Sequence, residues 1–266
     1  MSHQTLQTLL DDQGILTVRL NRPDIRNAFN TAMIDELHQV FGHEVQKPEV
    51  RLVVLRGAGE VFCAGGDLSW MKKSIDLSFG ENLTETRHLT KMFKTMNECP
   101  KPLIGAIHGA AIGGGVGLVS VCDYVIASEE TVFSLSEVRL GIVPACIGPF
   151  VVSKIGGTHA RSLFVSAERF KAKRAYEVGL VHELAKDAHA LDESVKRITN
   201  NMLQCGPLAM AAAKKLVLDL SWPERRESVG DCYDYVSSTL ASLRVSPEGQ
   251  EGLKAFLDKR KPAWQK

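Results

Sequence analysis

Apolar residues in the first half of the chain follow two periodicities in turn. Ile15–Leu20 and Arg51–Arg56 are short, β-rich apolar runs, and turn-forming residues follow each of them. Between these runs, the apolar positions of Thr31–Val45 recur at helical spacing, with Thr31 as a candidate N-cap. Strands that alternate with helices over short connections predict an α/β fold.

The same pattern continues as far as the middle of the chain. A helix is expected over Ser78–Cys99, where prolines end it, and a strand over Leu103–Ile107. Shorter extended segments are expected over Asp123–Ala127 and around Phe133. From about Gly156 onward the pattern is mostly helical. Helices are expected to begin near Thr158, Lys171, Asp192, Gly206, Trp222 and Pro247.

The chain contains no hinge rich in glycine, serine or proline that would separate an independently folding unit. We therefore divide it into a core over residues 1–199 and a helical extension over residues 200–266. The extension is expected to pack on its own subunit or on a neighbouring one.

Glycines mark the ends of two predicted strands. Gly113–Gly115 stand directly before the apolar run Val116–Val121, and a second glycine turn lies at Gly65–Gly66. Glycine allows a ligand to approach the backbone closely, and the first turn of a helix leaves its N–H groups free for an anion or a developing oxyanion. Glu137 follows in a mostly apolar neighbourhood. A donor site and a carboxylate that moves a proton would make a minimal active site.

Composition and residue patterns argue against several other classes of protein and binding site. The 266 residues carry a formal net charge of +1 at pH 7, so no overall field favours nucleic acid or an acidic membrane. Six cysteines without a CxxC pair indicate buried free thiols, and the histidines form no HxH or HExxH pattern, so no metal site is expected. The polar N-terminus resembles no targeting peptide, and no apolar run is long enough to span a membrane. A cytoplasmic protein is expected.

Several segments, taken in order, resemble the crotonase family, which is the enoyl-CoA hydratase/isomerase superfamily. The segments are Leu20–Phe29, Val61–Met71, Lys101–Leu118, Phe133–Pro144 and Lys254–Pro262. The resemblance implies a spiral of ββα turns with a C-terminal helical region that takes part in trimerisation. It also implies self-association as a trimer or a dimer of trimers, and an acyl-CoA substrate. Coenzyme A would enter as part of that substrate, with no separate cofactor.

The resemblance also implies the roles of individual residues. The backbone N–H groups of Gly66 and Gly114 would hold the thioester oxygen, and Glu137 matches the second catalytic glutamate of the two-glutamate hydratases. The first glutamate is absent, because Gly117 stands at its position. The residues expected to contact the acyl group or coenzyme A are Arg22, Arg26, Ala28, Ala64, Asp67, Leu68, Trp70, Gly117, Cys146, Phe256 and Lys259.

The motifs are most similar to those of bacterial methylglutaconyl-CoA and isohexenylglutaconyl-CoA hydratases. A hydratase for a branched or carboxylated 2-enoyl-CoA is therefore expected. A Δ3,Δ2-enoyl-CoA isomerase is the alternative, because moving a double bond needs only one base. A non-catalytic acyl-CoA-binding protein is a third possibility. The candidate cations for a distal carboxylate are Lys72, Lys73, Arg87 and Arg139.

Simpler interpretations exist for several of these residues. Trp70 could belong to the core, and Lys259 to a solvated basic end. Glu137 could pair with Arg139, Asp67 could only cap a helix, and Cys146 could be a small apolar wall. Gly117 could provide close helix packing or room for a bulky acyl chain.

Overall fold

Residues 3–265 are described by the computed structural model, apart from the side chains of Pro223 and Glu224. Strands and helices alternate through the first two thirds of the chain, and helices alone form the last part, which confirms the α/β class and the helical C-terminal region. The strands are β1 Leu6–Leu10, β2 Ile15–Leu20, β3 Leu52–Gly57, β4 Leu103–Ile107, β5 Ala110–Ile112, β6 Tyr124–Ser128, β7 Val132–Ser134, β8 Arg169–Lys171 and β9 Glu183–Ala185.

The helices cover the sheet faces and then form the C-terminal region. A π-helical turn, Val40–Glu44, extends the first helix, and a 3-10 helix, Glu137–Leu140, follows β7. The α-helices are α1 Thr31–Gln39, α2 Leu68–Ser74, α3 Phe79–Asn97, α4 Gly114–Ser120, α5 Gly148–Ser166, α6 Ala172–Glu177, α7 Ala188–Leu203, α8 Pro207–Ser221, α9 Pro223–Ser228, α10 Cys232–Val245 and α11 Pro247–Leu257.

Two sheets organise the core. The larger sheet has the strand order β1-β2-β3-β4-β6-β9, and all its pairs are parallel except β1 with β2. The smaller sheet has the order β5-β7-β8. The glycine turns are carried by later segments: Gly113–Gly115 directly follow β5 of the smaller sheet, and Gly65–Gly66 follow Cys63, which forms a bridge with Ala111 of β5. In the larger sheet, the carboxyl ends of β3 and β4 lie next to each other. Ligands of parallel sheets bind at this edge.

Both faces of the large sheet are buried, which explains why its strands are continuous apolar runs. Alternate side chains of β3 enter different cores: Val53 and Leu55 face the main cluster, and Leu52 and Val54 face a smaller one beneath α7. The main cluster includes the large, fully buried Phe41 and Phe93. The strands β3 and β4, which precede the segments with the glycine turns, are thus held by packing on two sides.

The C-terminal helices differ from the core. Among the described side chains of α8, α10 and α11, only Asp219 and Ala255 are buried. Asp219 accepts hydrogen bonds from Tyr235 and Arg225, and it also pairs with Lys215. Within residues 3–265, no helix is long and apolar enough to cross a membrane.

Some predicted boundaries were wrong. Asn30, not Thr31, caps α1, because the Asn30 side chain accepts the N–H of Met33. α5 consists of two helices joined at a kink at Gly156, so a helix begins close to Thr158 as expected, and the helix that precedes the kink, from Gly148, was not predicted. The strands β1, β5, β8 and β9 were not predicted either. Free cysteines are confirmed, but only Cys63, Cys99 and Cys122 are buried.

Candidate active site

The two glycine turns lie side by side. The N–H of Cys63 donates to Ala110 O at 3.0 Å, and the N–H of Ile112 donates to Cys63 O at 3.0 Å. A Cβ on Gly115 would lie 2.6 Å from Cys63 O, and one on Gly65 would lie 3.1 Å from Ile112 O. The turns approach each other this closely only because both positions are glycine.

Phe29 contacts both turns. Its N–H donates to Gly65 O at 2.7 Å, and its carbonyl accepts the N–H of Asp67 at 2.8 Å. Its ring edge lies 3.0 Å from the position that a Cβ on Gly114 would occupy. No role was expected for Phe29, although it ends the first of the family-like segments.

Gly66 and Gly114 each present a backbone N–H group without a partner among residues 3–265. Gly114 is the first residue of α4, where no intrahelical acceptor exists. Phe29 forms hydrogen bonds to the residues on either side of Gly66, namely to Gly65 O and to the N–H of Asp67. The N–H of Gly66 therefore takes no part in them. Two free donors on neighbouring turns fit the expected oxyanion hole, which stays a prediction.

Glu137 lies against the glycine turn that precedes α4. A Cβ on Gly113 would be 3.0 Å from Glu137 Oε1, and Gly113 has φ 53°. Both the close contact and the positive φ favour glycine at this position. Glu137 Oε2 is buried and has no hydrogen-bond partner among the described atoms. Burial raises the pKa of Glu137 above its ordinary value, against a smaller opposing effect of its own backbone N–H.

The suggested ion pair between Glu137 and Arg139 is absent from the described part of the chain. The Arg139 guanidinium instead donates to Ala167 O at 3.1 Å. Among the described residues, no cation pairs with the Glu137 carboxyl group, which lies against the turn that presents the free N–H of Gly114.

Gly117 is closely packed. A Cβ there would lie 2.9 Å from the Phe93 ring and would overlap with Ile147. The space above Gly117 is filled by these side chains, which supports the interpretation of close packing. Its expected contact with an acyl chain stays a prediction.

Five of the residues expected to contact coenzyme A lie together beside the oxyanion turn. Arg22 pairs with Asp67 at 2.8 Å and donates to Ala28 O at 2.6 Å. The N–H of Ala64 donates to Arg26 O at 3.0 Å. Burial opposes ionisation of Asp67, but hydrogen bonds from Arg22 and from backbone N–H groups outweigh it and lower its pKa. Asp67 also caps α2, as its simpler interpretation states.

The other residues expected to contact the acyl group or coenzyme A include Leu68, Trp70 and Cys146. The Trp70 ring is 3.7 Å from the Cβ position of Gly66, and its buried Nε1–H has no partner among the described atoms. Leu68 is exposed, and Cys146 Sγ donates weakly to Thr86 O at 3.6 Å. A cavity of about 480 Å³ lies beside Trp70. Its lining consists of Arg22, Asn30, Thr31, Ala32, Asp67, Ser69, Trp70, Lys73 and Glu85.

Phe256 and Lys259 do not join this group within one chain. Both are exposed near the end of α11. The segment that follows returns to Arg51, whose guanidinium donates to Trp264 O at 3.4 Å. Arg51 precedes β3, so this segment is anchored at the amino ends of the parallel strands, opposite the glycine turns. Phe256 and Lys259 could therefore contact coenzyme A, as predicted, only in the active site of another subunit. Within the described ranges, no group of metal-ligating side chains could hold a metal ion.

Comparison with known proteins gives a consistent result. A family model described as enoyl-CoA hydratase/isomerase matches residues 11–266. The chain is 32% identical over 278 residues to a peroxisomal Delta(3,5)-Delta(2,4)-dienoyl-CoA isomerase of Arabidopsis thaliana, covering 100% of this chain and 98% of the relative. It is 30% identical over 267 residues to a short-chain-enoyl-CoA hydratase of Clostridium acetobutylicum, covering 95% of each.

Solved structures show the same fold. The crystal structure of an enoyl-CoA hydratase from Shewanella pealeana superposes with a TM-score of 0.91 and 36% identity. The match covers 98% of this chain and 96% of that one. The expected crotonase fold is confirmed.

Proposed function

Because the chain belongs to the enoyl-CoA hydratase/isomerase family, we propose that it hydrates a branched or carboxylated 2-enoyl-CoA of the methylglutaconyl-CoA type. The observation that carries this proposal is the placement of a buried, unpaired Glu137 carboxyl beside the turn that presents the free N–H of Gly114. The motif resemblance of the glycine turns supports the substrate class.

The arrangement accounts for both halves of a hydration. The N–H groups of Gly66 and Gly114 stabilise the negative charge that develops on the thioester oxygen. The Glu137 carboxylate takes a proton from water, the oxygen of that water bonds to the β-carbon, and the double-bond electrons move onto the thioester as an enolate. Glu137 then returns its proton to the α-carbon, so that the carboxylate is regenerated. A raised pKa suits a group that both accepts and donates a proton near neutral pH.

Gly117 favours the isomerase as a second candidate function. An isomerase needs one base that removes a proton from one carbon and returns it to another, and Glu137 alone provides that. A hydratase with one glutamate also needs the water to be oriented by other groups.

We also propose that the protein assembles as a trimer or a dimer of trimers. Large apolar side chains of the C-terminal helices are exposed in the single chain, and Phe256, which is 83% exposed, is one of them. A neighbouring subunit would cover these side chains and could bring Phe256 and Lys259 to the coenzyme A of a second active site.

The activity is tested with three substrates. Purified protein is incubated with methylglutaconyl-CoA, crotonyl-CoA and a 3-enoyl-CoA, and hydration and double-bond migration are followed separately. Hydration of methylglutaconyl-CoA supports the proposal. Migration without hydration would establish the isomerase instead, and binding without turnover of any ester would establish a non-catalytic binder.

The role of Glu137 is tested by Glu137→Gln. We expect kcat to fall by roughly 100- to 10,000-fold, because the proton-transfer group is lost while the shape is kept. The exposed Glu193→Gln is the matched control. In the unchanged protein, kcat/KM should decrease as the pH falls through a pKa above the ordinary value of 4.5, because the carboxylate is the reactive form. Full activity of Glu137→Gln would refute the mechanism.

A further inference from the structure

A second cavity, of about 400 Å³, lies beside the segment that contains Glu137 and is lined by a different set of charges. Ile112, Ser134 and Arg169 occupy paired positions across β5, β7 and β8, so their side chains share one face of the small sheet. Ser136 and Arg139, which flank Glu137 in sequence, complete the lining. The cavity thus combines two guanidinium groups and two hydroxyl groups, with no carboxylate among the described lining residues.

The two guanidinium groups are available for an anion. Neither Arg139 nor Arg169 forms an ion pair with a described carboxylate. Arginine stays charged at all relevant pH values, and its planar guanidinium matches the geometry of a carboxylate. The single hydrogen bond from Arg139 to Ala167 O leaves other N–H groups of that side chain unused.

The residues that line the cavity are neighbours of the proposed reacting groups. The N–H of Gly113 donates to Ser134 O at 2.8 Å, and Gly113 is the residue against which Glu137 lies. Ile112 and Ser136 immediately precede Gly113 and Glu137. A ligand whose α- and β-carbons lie at Glu137 could therefore place a group a few bonds further on within this cavity.

The other cavity is less suitable for a negative charge. It contains Lys73, which was one of the candidate cations, and Arg22, but also Asp67 and Glu85. Arg22 is already paired with Asp67, and Glu85 would repel a further carboxylate at short range. Lys72 and Arg87 are exposed and line neither cavity.

Building on the proposed function, we propose that Arg139 and Arg169 bind the distal carboxylate of the acyl group and so select a carboxylated acyl-CoA over its uncharged counterpart. Ser136 is the hydroxyl donor for that carboxylate, because the Ser134 hydroxyl donates to Ala167 O at 3.5 Å. Arg169 determines specificity from β8 and takes no part in the proton transfer.

The test compares the binding of two saturated esters, glutaryl-CoA and pentanoyl-CoA, by calorimetry. Both have five-carbon acyl chains, and only glutaryl-CoA ends in a carboxylate. Because saturated esters cannot be hydrated, the result is independent of whether the proposed hydratase activity is correct. The quantity measured is the ratio of the two Kd values, so a general loss of folding affects both esters and cancels.

We expect Arg169→Met to reduce the preference for glutaryl-CoA by roughly 10- to 100-fold, which is the effect of losing a charge-assisted hydrogen bond. Arg139→Met should act in the same direction, and Arg169→Lys should retain part of the preference. The exposed Arg161→Met on α5 is the matched control and should leave the ratio unchanged.

Two results would overturn the proposal. One is an unchanged ratio in both Arg139→Met and Arg169→Met. The other is binding of inorganic phosphate that depends on Arg169 without any preference for glutaryl-CoA, which would make the cavity a site for a free anion.

Discussion

The large sheet and the C-terminal helices are stabilised by different interactions. The strands β3 and β4 bury almost every side chain between two layers of helices. By contrast, α8 buries only the charged Asp219, and α10 buries none of its side chains. The sheet is thus stabilised by apolar burial within one chain, whereas the helices rely on a charged network, and the proposed assembly would cover their exposed apolar side chains.

This difference also separates the two parts of the proposed site. The reacting groups lie on turns fixed by the packed sheet, where small displacements would be costly. The predicted coenzyme A contacts Phe256 and Lys259 lie in the helical region and are exposed. Substrate affinity is therefore expected to depend on assembly more than the chemical step does.

The largest expected effect is in the core. Phe93 is fully buried. The centroid of its ring lies 6.0 Å from the ring centroid of Phe29 and 6.0 Å from that of Phe150. Phe93→Ala should lower the free energy of unfolding by about 3–5 kcal/mol. The same replacement at Phe256, measured on the dissociated chain by urea unfolding, should change it by less than about 0.5 kcal/mol. Equal effects would remove the contrast between the two regions.

The next largest effect concerns Asp219. Asp219→Ala removes the acceptor of Tyr235 and Arg225, and it should cost about 2–3 kcal/mol. Hydrogen exchange of α8 and α10 should accelerate while that of β3 and β4 stays slow. The control Asp192→Ala breaks an ion pair whose carboxylate is 63% exposed, with an expected cost of about 0–1 kcal/mol. Faster exchange in β3 and β4 would show that the network supports the whole chain.

A smaller effect is expected at Gly117. Gly117→Ala pushes a methyl group against Phe93 and Ile147 and should cost about 1–3 kcal/mol. Gly80→Ala in α3 meets no neighbouring atom and should be neutral or stabilising by up to about 1 kcal/mol. Thermal unfolding distinguishes the two. A stable Gly117→Ala protein would indicate that the site has room for an acyl chain.

The smallest expected effect on stability concerns the protonation of Asp219 and appears only at acidic pH. The pKa of Asp219 is about 2 in the folded chain, against an ordinary value of 3.8; burial opposes this lowering, and hydrogen bonds from Lys215, Tyr235 and Arg225 produce it. Its contribution to stability is complete above pH 3.8 and is lost as the pH falls towards 2. Exchange of α8 should therefore accelerate in this range, and the acceleration should be absent in Asp219→Ala.

Local patterns predicted the central strands well. β2 and β4 begin and end at the expected residues, because each is a short apolar run bounded by turn-forming residues. β8, with exposed ends at Arg169 and Lys171, has no such pattern. It is a strand only because β7 pairs with it, and pairing is a long-range property. Adjacent Asn30 and Thr31 are both good caps, so their order could not be decided locally.

The site shows the same limit. The glycine turns and Glu137 could be identified because backbone conformation and motif spacing are local. The filling of the space at Gly117 by Ile147 could not, since it depends on how α4 and α5 pack. The placement of Phe256 and Lys259 away from the turns follows from the path of the whole C-terminal region.

Phe29 has a consequence for how such a protein can be altered. Its backbone holds one turn and its ring touches the other, so this aromatic residue acts together with the hydrogen bonds of Cys63 to set the separation of the two amides. Neither amide carries a side chain whose replacement would remove the donor. Directed evolution towards new acyl groups therefore has freedom in the cavity walls, whereas a smaller residue at position 29 would loosen the spacing of the two proposed oxyanion donors.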